Sequence, residues 1–133
     1  MPTMSFVNLP VTDLERAKAF YGALGYSFNP QFSDETGACM VISDTIYAML
    51  LTEPFFGTFT KKDVVDATAA TEVITALSFD SREDVDRISD TALASGGSPA
   101  NDPTDHGFMY SRSFQDPDGH LWEAIWMDPA HVE

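Results

Sequence analysis

The chain has 133 residues, enough for one domain with a real core but short for two unless they are small units sharing one. Hydrophobic residues make up 44% and charged residues 21%, which groups it with ordinary soluble globular proteins and excludes a disordered chain. Seven basic against 21 acidic residues leave a net charge of −14, which repels nucleic-acid phosphates and anionic lipid surfaces, so neither a nucleic acid nor a membrane is an expected partner.

Residues 5–11 read as a strand, followed by Thr12 or Asp13 as the N-cap of a helix running to about Leu24. Leu14, Ala17, Tyr21 and Leu24 recur at helical spacing, and Gly25 supplies the stop. Three short apolar runs follow, 26–32, 38–43 and 46–52, with turn-rich punctuation between them that argues for an antiparallel meander. The single cysteine, Cys39, lies in the second run, can form no intrachain disulfide and reads as a small buried hydrophobe. No apolar run approaches ~18 residues and no basic leader precedes one, so a cytoplasmic protein is expected.

Residues 53–71 show no clean period, yet Phe55, Phe56 and Phe59 argue against a solvated spacer; such a segment reads as a lid, a partner contact or a mobile linker. The opening plan then returns. Residues 73–80 read as a strand, Ser81 to Asp84 as a capping box, and Val85, Ile88, Ala92 and Leu93 as one helical face that ends at Gly96 and Gly97. Residues 98–101, 108–115 and 120–127 supply three more strands.

The last two strands flank Asp116-Pro117-Asp118-Gly119, strong turn chemistry in which Pro117 presets φ and Gly119 accepts positive φ. A four-residue loop places Gln115 opposite His120, Arg112 opposite Glu123 and Tyr110 opposite Ile125. Arg112 and Glu123 then share a face and form a charge-assisted pair, either lining a ligand site or only fixing sheet register. Tyr110 on that face offers a hydrogen bond and a stacking surface. Trp122 and Trp126 share the opposite face with Ala124 and read as core beneath a helix. Met40, Met49 and Met109 read as core or cup lining. His106 reads as a loop residue, His120 as exposed after the turn and His131 as part of the tail.

The opening from Val7 to Tyr21, VNLPVTDLERAKAFY, and the close from Phe114 to Trp126, FQDPDGHLWEAIW, together resemble the vicinal oxygen chelate superfamily, which holds glyoxalase I, extradiol dioxygenases and bleomycin resistance proteins. The resemblance covers nearly the whole chain. It implies an α+β fold, a single domain over residues 1–133 built from two βαβββ modules, about 4–52 and 72–127, joined by the loop 53–71. In the superfamily the two modules form a cupped mixed sheet that binds small molecules, and dimers are common, so a homodimer is expected.

Superfamily enzymes that use a metal hold it from the first and fourth strands of each module. Those positions fall here on Phe6 and Ile74 and on about Leu50 and Glu123, and only Glu123 is a ligand; residues 6–11 and 73–79 contain no His, Cys, Asp or Glu. One carboxylate among hydrocarbon side chains cannot hold a divalent ion tightly, so no metal and no cofactor are expected. The candidate ligand-binding set is Phe6, Asn8, Leu50, Ile74, Tyr110, Arg112 and Glu123. The leading expectation is a protein that binds a small, largely apolar molecule. The alternatives are a lactoylglutathione lyase-like or other lyase, isomerase or dioxygenase with Glu123 as its catalytic group, and a non-catalytic dimer docking through its aromatic loop. Whether any reaction is catalysed stays open at this point.

Overall fold

The computed structural model describes residues 2–131 and divides into two compact units, Met1–Asp66 and Ala67–Glu133, with the division inside the connecting segment.

The first unit runs β1 (Ser5–Val11), α1 (Leu14–Ala23), β2 (Ser27–Asp34), β3 (Gly37–Val41), β4 (Ile46–Thr52) and the short α2 (Glu53–Gly57). Asp13 caps α1 by accepting the Arg16 N–H at 3.1 Å, and Gly25, at φ 104°, turns the chain out of it. The sheet order is β1-β4-β3-β2, with β1 parallel to β4 and the other pairs antiparallel. Pro10 is tolerated because β1 is an edge strand. Register places Leu9, Val11, Ala38, Met40, Ala48 and Leu50 on one face, each no more than 9% exposed. Against them α1 buries Leu14, Ala17, Phe20 and Tyr21. Burial of the larger of these side chains contributes about 1.5–3 kcal/mol each.

The second unit repeats the plan: β5 (Ile74–Phe79), α3 (Arg82–Ala94), β6 (Ser98–Pro99), β7 (Thr104–Asp105), β8 (Met109–Gln115) and β9 (Leu121–Met127). Its order, β5-β9-β8-β6, matches the first sheet, with β7 added beside β8. Ser81 caps α3 through the Asp84 N–H at 3.1 Å, as the capping pattern predicts. The helix buries Val85, Ile88, Ser89 and Ala92, whereas Leu93, expected on that face, is 40% exposed. The expected strand over 98–101 shortens to two residues, because at Asn101 the backbone leaves the ladder to bond the Ser113 side chain. Among the described residues no helix is long and apolar enough to cross a membrane.

Candidate functional site

The β8–β9 turn sets the site. The Gly119 N–H bonds the Asp116 carbonyl at 3.0 Å, closing a turn over Pro117 and Asp118, and Gly119 follows at φ 89°. The Asp116 carboxylate accepts the Asp118 and His120 N–H groups at 2.9 and 2.8 Å, while the Asp116 N–H bonds the His120 carbonyl. His120, expected to be exposed, is thereby drawn into the turn and half-buried. The loop proper is three residues, Pro117 to Gly119, a turn followed by a positive-φ residue. Gln115 therefore faces Leu121, one residue away from the expected His120.

That single step reverses the facing of β8 relative to β9. Arg112 lies opposite Ala124 and Tyr110 opposite Trp126, while Glu123 lies opposite Ser113. The expected Arg112–Glu123 pair does not form. Arg112 instead turns to the α3 side and donates to Asp86 at 3.0 Å and Asp90 at 2.9 Å. Those aspartates stand four apart on the helix, the spacing that puts both on one face. Tyr110 also leaves the expected face and donates its hydroxyl to Asp86 at 2.6 Å. The Tyr110 hydrogen bond, with Arg112 second, holds the Asp86 carboxyl below its ordinary range and pushes the phenol above its own. Burial works against the Arg112 charge, but its hydrogen bonds to Asp86 and Asp90 outweigh it and raise its pKa. Arg82 completes this side with two bonds to Asp105 at 2.9 and 2.8 Å, and it sits 5.0 Å above the Tyr110 ring and 5.1 Å above that of Trp126. Trp122 and Ala124 are buried on the same side, as their spacing predicts.

Glu123 stands on the face that α3 leaves uncovered. Register flanks it with Ser113 on β8 and Ala76 on β5; Leu121, Gln115 and Ile74 lie toward the turn, and Ile125, Ser111 and Ser78 lie the other way. The Ser113 hydroxyl is engaged by Asn101, accepting its N–H at 2.8 Å and donating to its carbonyl at 3.3 Å. Toward the turn, the segment 67–71 arches over the sheet end and, with Ala100, Asn101, Gln115 and Leu121, encloses a shallow hollow of about 270 Å³. The arch rests on the turn: a Cβ on Gly119 would meet the Thr68 nitrogen at 2.7 Å. No sequence period pointed to this hollow, since 67–71 is alanine and threonine without a pattern.

In the first unit the face away from α1 carries Phe6, Asn8 and Pro10 beside Tyr47, Met49 and Leu51. Phe6 is 52% exposed and stacks on Tyr47 at 5.0 Å. Asn8 is exposed beside it. Leu50, assigned to this face by the resemblance, is fully buried on the α1 side; the fourth-strand residues on the face away from α1 are Met49, half-buried, and Leu51, itself only 2% exposed. Cys39 is buried, and burial pushes its thiol above the ordinary value.

These residues do not fit the superfamily's divalent ion. The first-strand positions present Phe6 and Ile74, the fourth-strand positions present thioether or hydrocarbon and the single Glu123, and among the described residues no three His, Cys, Asp or Glu side chains gather to hold a metal.

Residues 3–43 match the family model described as bleomycin resistance protein-like N-terminal. A search of curated proteins gives no match. Among solved structures the chain is similar to a hypothetical protein of S. aureus, at 26% identity over 95% of this chain and 94% of the other, with a TM-score of 0.79. It is also similar to a glyoxalase/bleomycin resistance protein/dioxygenase family enzyme of Burkholderia phytofirmans PsJN, at 15% identity over 95% and 99%, TM-score 0.76. A third is the bleomycin resistance determinant encoded on the transposon Tn5, at 18% identity over 96% and 99%, TM-score 0.65. The fold is therefore the glyoxalase/bleomycin resistance/dioxygenase fold, built from two βαβββ units. Residues 3–43 thus resemble the bleomycin resistance protein-like N-terminal family, and over its length the chain shares the fold of these solved structures.

Proposed function

We propose that this protein binds a small, largely apolar molecule on the helix-free faces of its sheets, without the superfamily metal. The observation that carries the reading is the makeup of those faces: exposed Phe6 and Ile74, half-buried Met49, Leu121 and Ile125, and one carboxylate, Glu123, where a metal centre needs a set of ligands. Small-molecule sites have this character, apolar walls with few polar groups. The hollow beside Leu121, at about 270 Å³, is just below the usual size of such sites, and Thr68, Thr71, Asn101 and Gln115 make its lining mixed rather than apolar. Of the candidate ligand-binding residues, Phe6 and Asn8 lie on the open-face side of the first unit's sheet and Ile74 and Glu123 on that of the second, while Leu50, Tyr110 and Arg112 serve the helix-covered sides.

Two measurements test the reading. Dialysis of the full chain against Zn²⁺, Ni²⁺ or Mn²⁺ followed by metal analysis is expected to leave far less than one ion per chain; a stoichiometric ion lost on Glu123→Gln would replace this reading with the metal-dependent lyase, isomerase or dioxygenase. NMR titration with a neutral aromatic probe such as indole is expected to shift amides on the helix-free faces, and shifts confined to the helix-covered sides would overturn it.

A second reading, a dimer that docks through its aromatic loop, draws on Phe55 and Phe59. They form an edge-to-face pair at 5.1 Å with 36% and 69% of their surfaces exposed. Light scattering on native chain and Phe59→Ser separates it: a dimer that dissociates in the variant favours docking, and an unchanged mass rules it out.

A further inference from the structure

All three basic residues of the second unit are spent away from Glu123. Arg82 is held by Asp105, Arg87 by Asp84 at 2.8 Å, and Arg112 by Asp86 and Asp90. Glu123 is half-buried on the opposite, helix-free face, where its neighbours across the sheet are Ser113 and Ala76. The Ser113 hydroxyl is already engaged by Asn101, and among the described residues no basic group pairs with Glu123. An ionised carboxylate accepts hydrogen bonds and donates none, so a partner that completes it must bring N–H or O–H donors, and positive charge is the strongest complement.

We infer that the ligand of this face is a small organic cation, a protonated amine set against Glu123 with an apolar body laid over Leu121 toward the hollow under residues 67–71. The inference rests on the small-molecule reading above and adds the charge of the ligand to it. Geometry sets the size. Leu121 and Glu123 stand two residues apart on one strand face, about 7 Å, so the ammonium and the centre of the apolar body are separated by a short chain of a few carbons. Specificity comes from place as well as charge: the rest of this acidic chain attracts cations only diffusely, whereas Glu123 stands beside Leu121, Ile74 and Ile125, apolar surface that a hydrated metal ion or a simple salt cation cannot use.

The test compares three probes of one shape and different charge, phenylpropylammonium, phenylpropanol and phenylpropanoate, by NMR titration of the full chain. The expected result is that the ammonium binds about tenfold more tightly than the alcohol or better, in line with the strength of hydrogen bonds to charged groups, and shifts the amides of Ala76, Ser113 and Glu123. Glu123→Gln is expected to remove that preference. Glu83→Gln, on the exposed side of α3, changes the net charge equally and is expected to keep it. Equal binding of alcohol and ammonium to the native chain overturns the cation and leaves the apolar-ligand reading standing, whereas no binding of any probe overturns both. A preference that falls equally in the two variants assigns the attraction to the overall charge and overturns the role of Glu123. Ammonium-induced shifts in the native chain confined to the α3 side overturn it without any variant.

Discussion

Arg112 keeps only 19% of its side chain exposed, while its partners Asp86 and Asp90 keep 47% and 69%. The arginine is thus the desolvated member and the aspartates are still partly hydrated. Removing it leaves two carboxylates that water can reach, a milder loss than stranding a fully buried charge. Arg112→Ala is expected to cost about 1–2 kcal/mol, part of it from lost packing of the aliphatic stem, as read by urea denaturation; a loss near 4 kcal/mol would mean that a buried partner was missed. The same side also makes a pH prediction. Asp86 is lowered first by Tyr110 and then by Arg112, and Asp105 is lowered by Arg82 and by the Gly107 N–H. A folded-state pKa below the unfolded value of about 3.9 means that the unfolded chain takes up protons first as pH falls. The stabilisation is therefore whole above about pH 4 and is lost as pH drops through the folded values. The double variant Asp86→Asn/Asp105→Asn is expected to show a shallower loss of stability below about pH 4 than the native chain; an equally steep acid limb would contradict the pairs.

At the level of elements, the β8–β9 hairpin controls what faces what. A period of two along each strand was readable directly, and Trp122, Ala124 and Trp126 do share a side, as alternation requires. The loop length was not readable from turn propensity, because Asp-Pro-Asp-Gly suits a four-residue loop and a three-residue loop alike. The Asp116 carboxylate decides it by capturing the His120 N–H, which brings Asp116 into the hairpin opposite His120 and shifts the register by one. Arg112 and Glu123, expected to share a face, therefore lie on opposite faces. Gly119 ties the hairpin to the arch of 67–71. Gly119→Ala must place a side chain at φ 89° with its Cβ 2.7 Å from the Thr68 nitrogen, so a loss of at least about 2 kcal/mol is expected in thermal unfolding. Native stability in that variant would show that the arch does not rest on the turn.

Over the whole molecule, 21 acidic residues against seven basic ones make self-repulsion a term in stability. Raising salt from about 0.01 M to about 1 M shortens the Debye length from about 30 Å to about 3 Å. The melting temperature is expected to rise by a few degrees over that range, and a fall would mean that the arginine pairs outweigh the repulsion. The doubled βαβββ order was legible because its signals are local: Asp13 and Ser81 as caps, Gly25 and Gly96 as stops, apolar runs at strand length. Each depends on residues within a few positions of one another, so the amino-acid order by itself determined the two long helices and the main strands in their sequence, though not α2 or β7, and the scarcity of metal ligands at the expected positions. Which face of β8 points away from α3 depended on a hydrogen bond in one turn, and the partners of Arg112 and the hollow under 67–71 depended on groups far apart in the chain. Only tertiary structure could decide those, because strand alternation has two phases of equal propensity and side-chain pairing across elements leaves no period in the sequence.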